Sequence, residues 1–152
     1  MSNGTITVGK GGQIVLDYFK NELNPAVADL QSFAEEVASY KVGFFESLTR
    51  KKLDGIERRY AAYMSSFMRI YKKWHLPDEM FRDVQIADKN SLIAEYMQIK
   101  PSLTEHINEG FRVLAFIDKL VGGARSTADN QVAVILALIA ITISIVTAVF
   151  QL

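Results

Sequence analysis

One of the chain's two histidines lies in "TEHINE", where Glu105, His106 and Glu109 fall within five residues. On a helix His106 and Glu109, three positions apart, share one face, as metal-ligating pairs in helical bundles do. Such a centre takes a second copy of the pair from another helix, and the other histidine, His75, has no such companion. The reading is a solvated helix face, with no metal and no cofactor. The opening "GTITVGKGG" matches G-x-x-x-x-G-K at Gly4, Gly9 and Lys10. Gly11 replaces the Ser or Thr that would hold magnesium, and too little chain precedes Gly4 for the strand that a phosphate loop follows. No nucleotide site or other small-molecule substrate is expected. The chain has no Cys, which removes disulfides, thiolate zinc sites and cysteine nucleophiles together.

The stretch "RIYKKWH" sets Arg69 and His75 six apart near the end of a predicted helix. It resembles the R-x(4-6)-H signature of HEPN-family ribonucleases, helical bundles in which a dimer pairs two such motifs around an RNA phosphate. The resemblance covers seven residues and the all-helical class. It implies His75 as general acid and base and Arg69 as phosphate clamp. The residue after Arg, often polar in that family, is here Ile70, an apolar stripe position. The alternative is a surface Arg with a helix-terminal His that complements the helix dipole.

These residues sit on helices. From Val27 to Leu48 the positions Val27, Leu30, Phe33, Val37, Tyr40, Phe44 and Leu48 recur at helical spacing, predicting one helix with one buried stripe. Leu53, Ile56, Tyr60, Tyr63, Phe67, Ile70 and Trp74 step by three and four, three heptads in register. They read as the core face of a bundle helix, with a dimeric coiled coil as the alternative. Pro25 suits a first helical turn after Asn24, and Pro77 ends the long helix soon after His75. Pro101, Ser102 and Glu105 resemble a capping box that opens a helix near Leu103, with Leu103, Ile107, Phe111, Leu114, Ile117 and Val121 as its face. "QIVLDYFKNEL" reads as a further short helix. Residues 78–100 read as one or two more, with Asp88 or Asn90 as cap.

Lys plus Arg equals Asp plus Glu, 17 each, so no global field draws the chain to nucleic acid, and none is expected as a partner outside the ribonuclease reading. Locally the charge is uneven. Arg50, Lys51, Lys52, Arg58, Arg59, Arg69, Lys72 and Lys73 flank the aromatic stripe, while the segments before and after it are acidic. Packing of complementary helices accounts for this. The functional alternative is a surface for anionic lipid headgroups.

Val132 to Phe150 is a run of 19 residues whose only polar members are Thr142, Ser144 and Thr147. As a helix it rises about 28 Å, close to the hydrocarbon thickness of a bilayer. The rival is a helix buried in a soluble core. No leader-like segment opens the chain, and Arg112, Lys119 and Arg125 precede the run, so the expected topology is tail-anchored and single-pass, with the N-terminal bundle in the cytosol. Ala133, Ala137, Ala140, Ser144 and Thr147 recur by four, three, four and three, a stripe of small residues of the kind that lets helices associate in lipid.

The expected architecture is all-α: a flexible N-terminus over 1–12, a helical bundle over 13–121, a linker over 122–131 ("GGARSTADNQ") and a transmembrane helix over 132–150. Whether the last bundle helix stops at the linker or runs on is open at this level. The expected function is a self-associating membrane effector, a ring of spans forming a pore. The partners are the bilayer and further copies of the chain. The alternatives are a membrane-tethered ribonuclease and a scaffold that recruits another protein.

Overall fold

A computed structural model of the chain describes residues 10–76, Phe81 and 89–150. The class is all-α, and the described residues form five α-helices: α1 (Lys10–Tyr18), α2 (Asn24–Ser39), α3 (Phe44–Thr49), α4 (Lys51–His75) and α5 (Lys89–Phe150). Of the expected flexible N-terminus, residues 1–9 lie outside the described residues. Residues 10–12 already belong to α1, where the Gly12 amide donates to the Glu95 carboxylate of α5 at 3.0 Å.

A π-helical turn, Phe19–Leu23, joins α1 to α2. Its position follows from Pro25, which has no N–H and whose ring would press on the carbonyl four residues back. Widening that turn makes room for the ring, and the Asn24 amide donates five residues back to Phe19 instead of four. Val27, Leu30, Phe33 and Val37 then line the buried face of α2. The predicted stripe does not continue to Leu48. The helix ends at Ser39, Tyr40 is extended (φ −70°, ψ 126°), and its amide turns back to Val37. Phe44 and Leu48 therefore fall on a separate helix, α3, and are 55% and 51% exposed.

Arg50 makes the turn from α3 to α4 in a left-handed conformation, φ 53°. The Glu46 carboxylate accepts the Lys52 amide at 2.6 Å and the Leu53 amide at 3.4 Å, satisfying donors that the first turn of α4 leaves open. On α4 the aromatic stripe faces inward: Leu53, Ile56, Phe67 and Trp74 are buried. The chain's own helices fill that seam, so the coiled-coil alternative is not the one adopted. α4 stops at His75, and Leu76 is extended (φ −111°, ψ 97°), as the residue before a proline is driven to be.

The last helix departs most from the sequence reading. α5 starts at Lys89 and runs 62 residues without a break. The proline-led capping box does not open a helix near Leu103. Pro101 lies inside α5, which it deprives of one backbone bond. Packing on both sides offsets that loss, with Leu92 and Tyr96 before it and Ile107 after it all buried. Of the proposed caps, Asp88 lies outside the described residues and Asn90 is already inside the helix. The segment expected as a linker, 122–131, is helical throughout, so bundle helix and apolar tail are one continuous rod.

The core centres on Trp74, Tyr96, Phe33, Phe67 and Ile117. Tyr18 stacks on Trp74 with ring centroids 5.9 Å apart and donates its hydroxyl to the Ile70 carbonyl at 2.6 Å. Tyr96 donates to the Trp74 carbonyl, and burial pushes its hydroxyl up to about 12. Tyr18 is raised as well, by burial first and then by the charge of Glu22. Close approach of α4 and α5 depends on Gly110: a Cβ there would sit 2.1 Å from the Phe67 ring.

Candidate functional site

The feature that sets this chain apart from a plain bundle is the second half of α5. Before it, α5 buries one stripe, formed by Ile107, Leu114, Ile117, Val121 and Ala128, and turns charged residues outward. From Leu136 to Ser144 the burial stops although the apolarity increases. Val134, Leu136, Leu138, Ile139, Ile141 and Ile143 are each at least half exposed. The rival reading, a helix buried in this chain's own core, is thereby removed. Among the described residues, Leu103–Ser144 is the one stretch long and apolar enough to cross a membrane, with mean hydropathy 1.6.

The small-residue stripe lies on that bare section. Ala133, Ala137, Ala140 and Ser144 are exposed, while the side chain of Thr147 lies outside the described residues. At ~100° per residue these four fall within about 60° of one another, and about 160° around the helix from the face marked by Ile117, Ala128 and Ile135. The bundle therefore docks on one side of α5 and leaves the stripe open on the other. Ser144 donates its hydroxyl to the Ala140 carbonyl at 2.8 Å, and Thr142 donates to Leu138 at 2.9 Å. Both hydroxyls are satisfied within the helix, which suits an apolar surrounding.

Three of the eight cations around α4 pair with acids on other helices. Arg59 forms a two-pronged pair with Glu36 of α2, at 2.5 and 2.7 Å, which holds the Glu36 carboxyl below its ordinary value. Lys73 pairs with Glu22 and Arg50 with Asp129. These three serve complementary helix packing. Arg58 donates to the Asp54 carbonyl of its own helix at 3.2 Å. Lys51, Lys52, Arg58, Arg69 and Lys72 are exposed.

Arg69 and His75 do not converge within one chain. Six positions on a helix separate them by about 9 Å along the axis and about 120° around it. Arg69 lines a groove with Glu22, Asp29 and Lys73, which His75 does not reach. His75 packs instead on the Tyr71 ring, 5.1 Å between centroids. Phosphate chemistry would need a second copy to bring one chain's Arg69 to the other's His75. In "TEHINE", His106 meets the edge of Phe19 at 4.8 Å and Glu109 faces Arg112 at 3.6 Å. Among the described residues no group of three His, Cys, Asp or Glu is placed to hold a metal.

Sequence reasoning missed α3. "FFESLT" has its polarity reversed: Ser47 is fully buried, whereas Phe45 is 80% exposed. Ser47 donates to the Gly43 carbonyl at 3.0 Å and meets the Gln131 side chain of α5. Phe44 shares a groove of about 290 Å³ with Thr127, Asn130, Gln131, Val134 and Ile135, where the apolar run begins. The available signal was the Phe pair followed closely by "RKK", obscured because Phe44 and Leu48 continue the phase of the α2 stripe. No known family model matches this chain, and neither a curated protein nor a solved structure is detectably similar to it.

Proposed function

We propose that this protein is a membrane-anchored effector. Its helical bundle stays on the cytosolic side, its apolar tail spans the bilayer, and several copies associate through the small-residue stripe to permeabilise the membrane. The observation that carries the reading is the exposure of α5 from Leu136 to Ser144: large aliphatic side chains point outward there, on a helix without a charged side chain after Asp129. Leaving such a surface in water is costly, at roughly 25 cal/mol for each Å² of apolar area, and lipid removes that cost. Arg112, Lys119 and Arg125 precede the run and favour the cytosolic placement of the bundle.

Self-association is supported by the position of the stripe, away from the bundle, where Ala133, Ala137 and Ala140 offer a low surface to a neighbouring helix. A single uncharged helix has no aqueous path along it, so permeabilisation requires a ring. Full-length protein reconstituted into liposomes should release a trapped dye. The double variant Ala137→Leu/Ala140→Leu should still insert but release little. Equal release from wild type and variant, or none from the wild type, would contradict the pore.

A further inference from the structure

We propose that α3 is a second membrane-contacting element. Phe44, Phe45 and Leu48 enter the boundary between headgroups and acyl chains, beside the point where α5 enters the bilayer. The inference rests on the membrane reading of α5 and extends it to a part of the chain that periodicity assigns to the core.

Three observations carry it. The first is the inversion of α3. A short helix on a water-facing bundle turns its polar side outward, but here Ser47 is 0% exposed and Phe45 80% exposed. The one acid on α3, Glu46, is turned back to accept the amides of Lys52 and Leu53, so its charge is committed to the start of α4 and not to the outer face. What remains outward is Phe44 edge-on to Phe45, ring centroids 5.6 Å apart, with Leu48 one turn on and Thr49, whose hydroxyl donates to the Phe45 carbonyl at 3.3 Å.

The second is continuity with the tail. Moving along α5, Arg125 pairs with Glu57, Asp129 with Arg50, and Gln131 meets Ser47, so α4 and then α3 lie progressively nearer the apolar run. Phe44 shares its groove with Val134 and Ile135. The α5 side of that groove runs from Thr127 to Ile135, which sets Phe44 at the boundary where the polar stretch gives way to the apolar run. The exposed aromatic pair thus lies beside the start of the exposed aliphatics of α5.

The third is charge. Lys41 precedes α3 and Lys51 and Lys52 follow it, all exposed. Aromatic and aliphatic side chains flanked by lysines match a bilayer interface, with lipid phosphates for the lysines and the upper acyl region for the rings. The same contact would fix the bundle's tilt against the membrane, because α3 and α5 then touch it at two points.

The absence of cysteine makes the test direct. Phe45→Cys, Leu138→Cys and Ser65→Cys are each labelled with an environment-sensitive fluorophore in the full chain, in phosphatidylcholine/phosphatidylserine vesicles carrying spin-labelled lipids. Ser65 is the aqueous control: it neighbours Phe67, which packs at Gly110, about 33 Å along α5 from Val132. Strong quenching of the Leu138 label, several-fold more quenching of the Phe45 label than of the Ser65 label, and greatest effect at Phe45 from shallow spin labels are expected. Quenching at Leu138 with Phe45 no more quenched than Ser65 overturns the role of α3 and leaves the span standing. A blue-shifted but unquenched Phe45 label means that a protein surface, such as a second copy, covers α3, and also overturns it. An unquenched Leu138 label removes the membrane reading itself.

Discussion

Two halves of one helix make the most instructive contrast in this protein. From Lys89 to Ala128, α5 is amphipathic: one stripe is buried and Glu105, Glu109, Arg112, Asp118, Lys119 and Arg125 keep the rest in water. From Val132 onward it is apolar in sequence and, from Leu136 to Ser144, bare. The more hydrophobic half is the less buried one. Burial in a folded chain needs neighbouring elements to supply the other side of each contact, and α1, α2, α3 and α4 have all been used by the time α5 reaches Ile135. A lipid or oligomeric surrounding takes their place in the proposed function.

The sharpest way to break this contrast is to make matched cavities. Ile117 is 0% exposed and Ile139 50% exposed. Ile117→Ala should cost about 2–5 kcal/mol of bundle stability. Ile139→Ala should change it by less than about 0.5 kcal/mol. Denaturant melts in detergent check both, and equal losses would mean that the tail packs within the bundle after all. Next in size, Leu138→Asp should cost about 2.5–3.5 kcal/mol of membrane insertion. It would appear as loss of the protein from the alkali-resistant membrane fraction, with the bundle's melt unchanged.

Glycines on the same helix sharpen the contrast further. Gly110→Ala should destabilise by about 1–3 kcal/mol, because its methyl group would collide with the Phe67 ring. Gly122→Ala meets open space and should stabilise by up to about 1 kcal/mol through helix propensity. The two substitutions should therefore shift the melting temperature in opposite directions.

The smallest effect distinguishes the halves by pH. Tyr96, held at about 12, keeps its proton in the folded state at pH values where the unfolded chain, near 10, has lost it. Its contribution to stability is complete below pH 10 and is lost as the pH rises from about 10 to about 12. The bundle should loosen over that window, whereas a tail without a titrating side chain should stay in the membrane fraction. Tyr96→Phe should reduce the bundle's dependence on pH, and the raised Tyr18 should keep part of it.

Periodicity was a sound guide wherever a stripe lay within one element. The aromatic series on α4 is the inward face that its spacing implies. Spacing failed where chain breaks and stripe phase coincided. Tyr40, Phe44 and Leu48 continue the rhythm of α2, yet the backbone straightens at Tyr40 and a new helix begins. Local signals also yielded to packing. Pro101 with Ser102 and Glu105 has the form of a helix start, but buried partners on both sides carry α5 through it. "GGARSTADN" has linker composition, yet Asp129 and Arg125 are tied to Arg50 and Glu57, and the stretch stays helical. For the candidate site, the small-residue stripe could be read directly, whereas the inverted face of α3 depends on contacts from Gln131 that no local pattern encodes.

The proposed effector depends on association through the bare half of α5, and the mass of the full chain in mild detergent, corrected for bound detergent, tests this most directly. A protein mass that is a fixed multiple of the 17.0 kDa protomer, reduced to a single protomer by Ala137→Leu/Ala140→Leu, is the expected result. A single protomer for the wild type, or an assembly unaffected by the double substitution, would contradict the account.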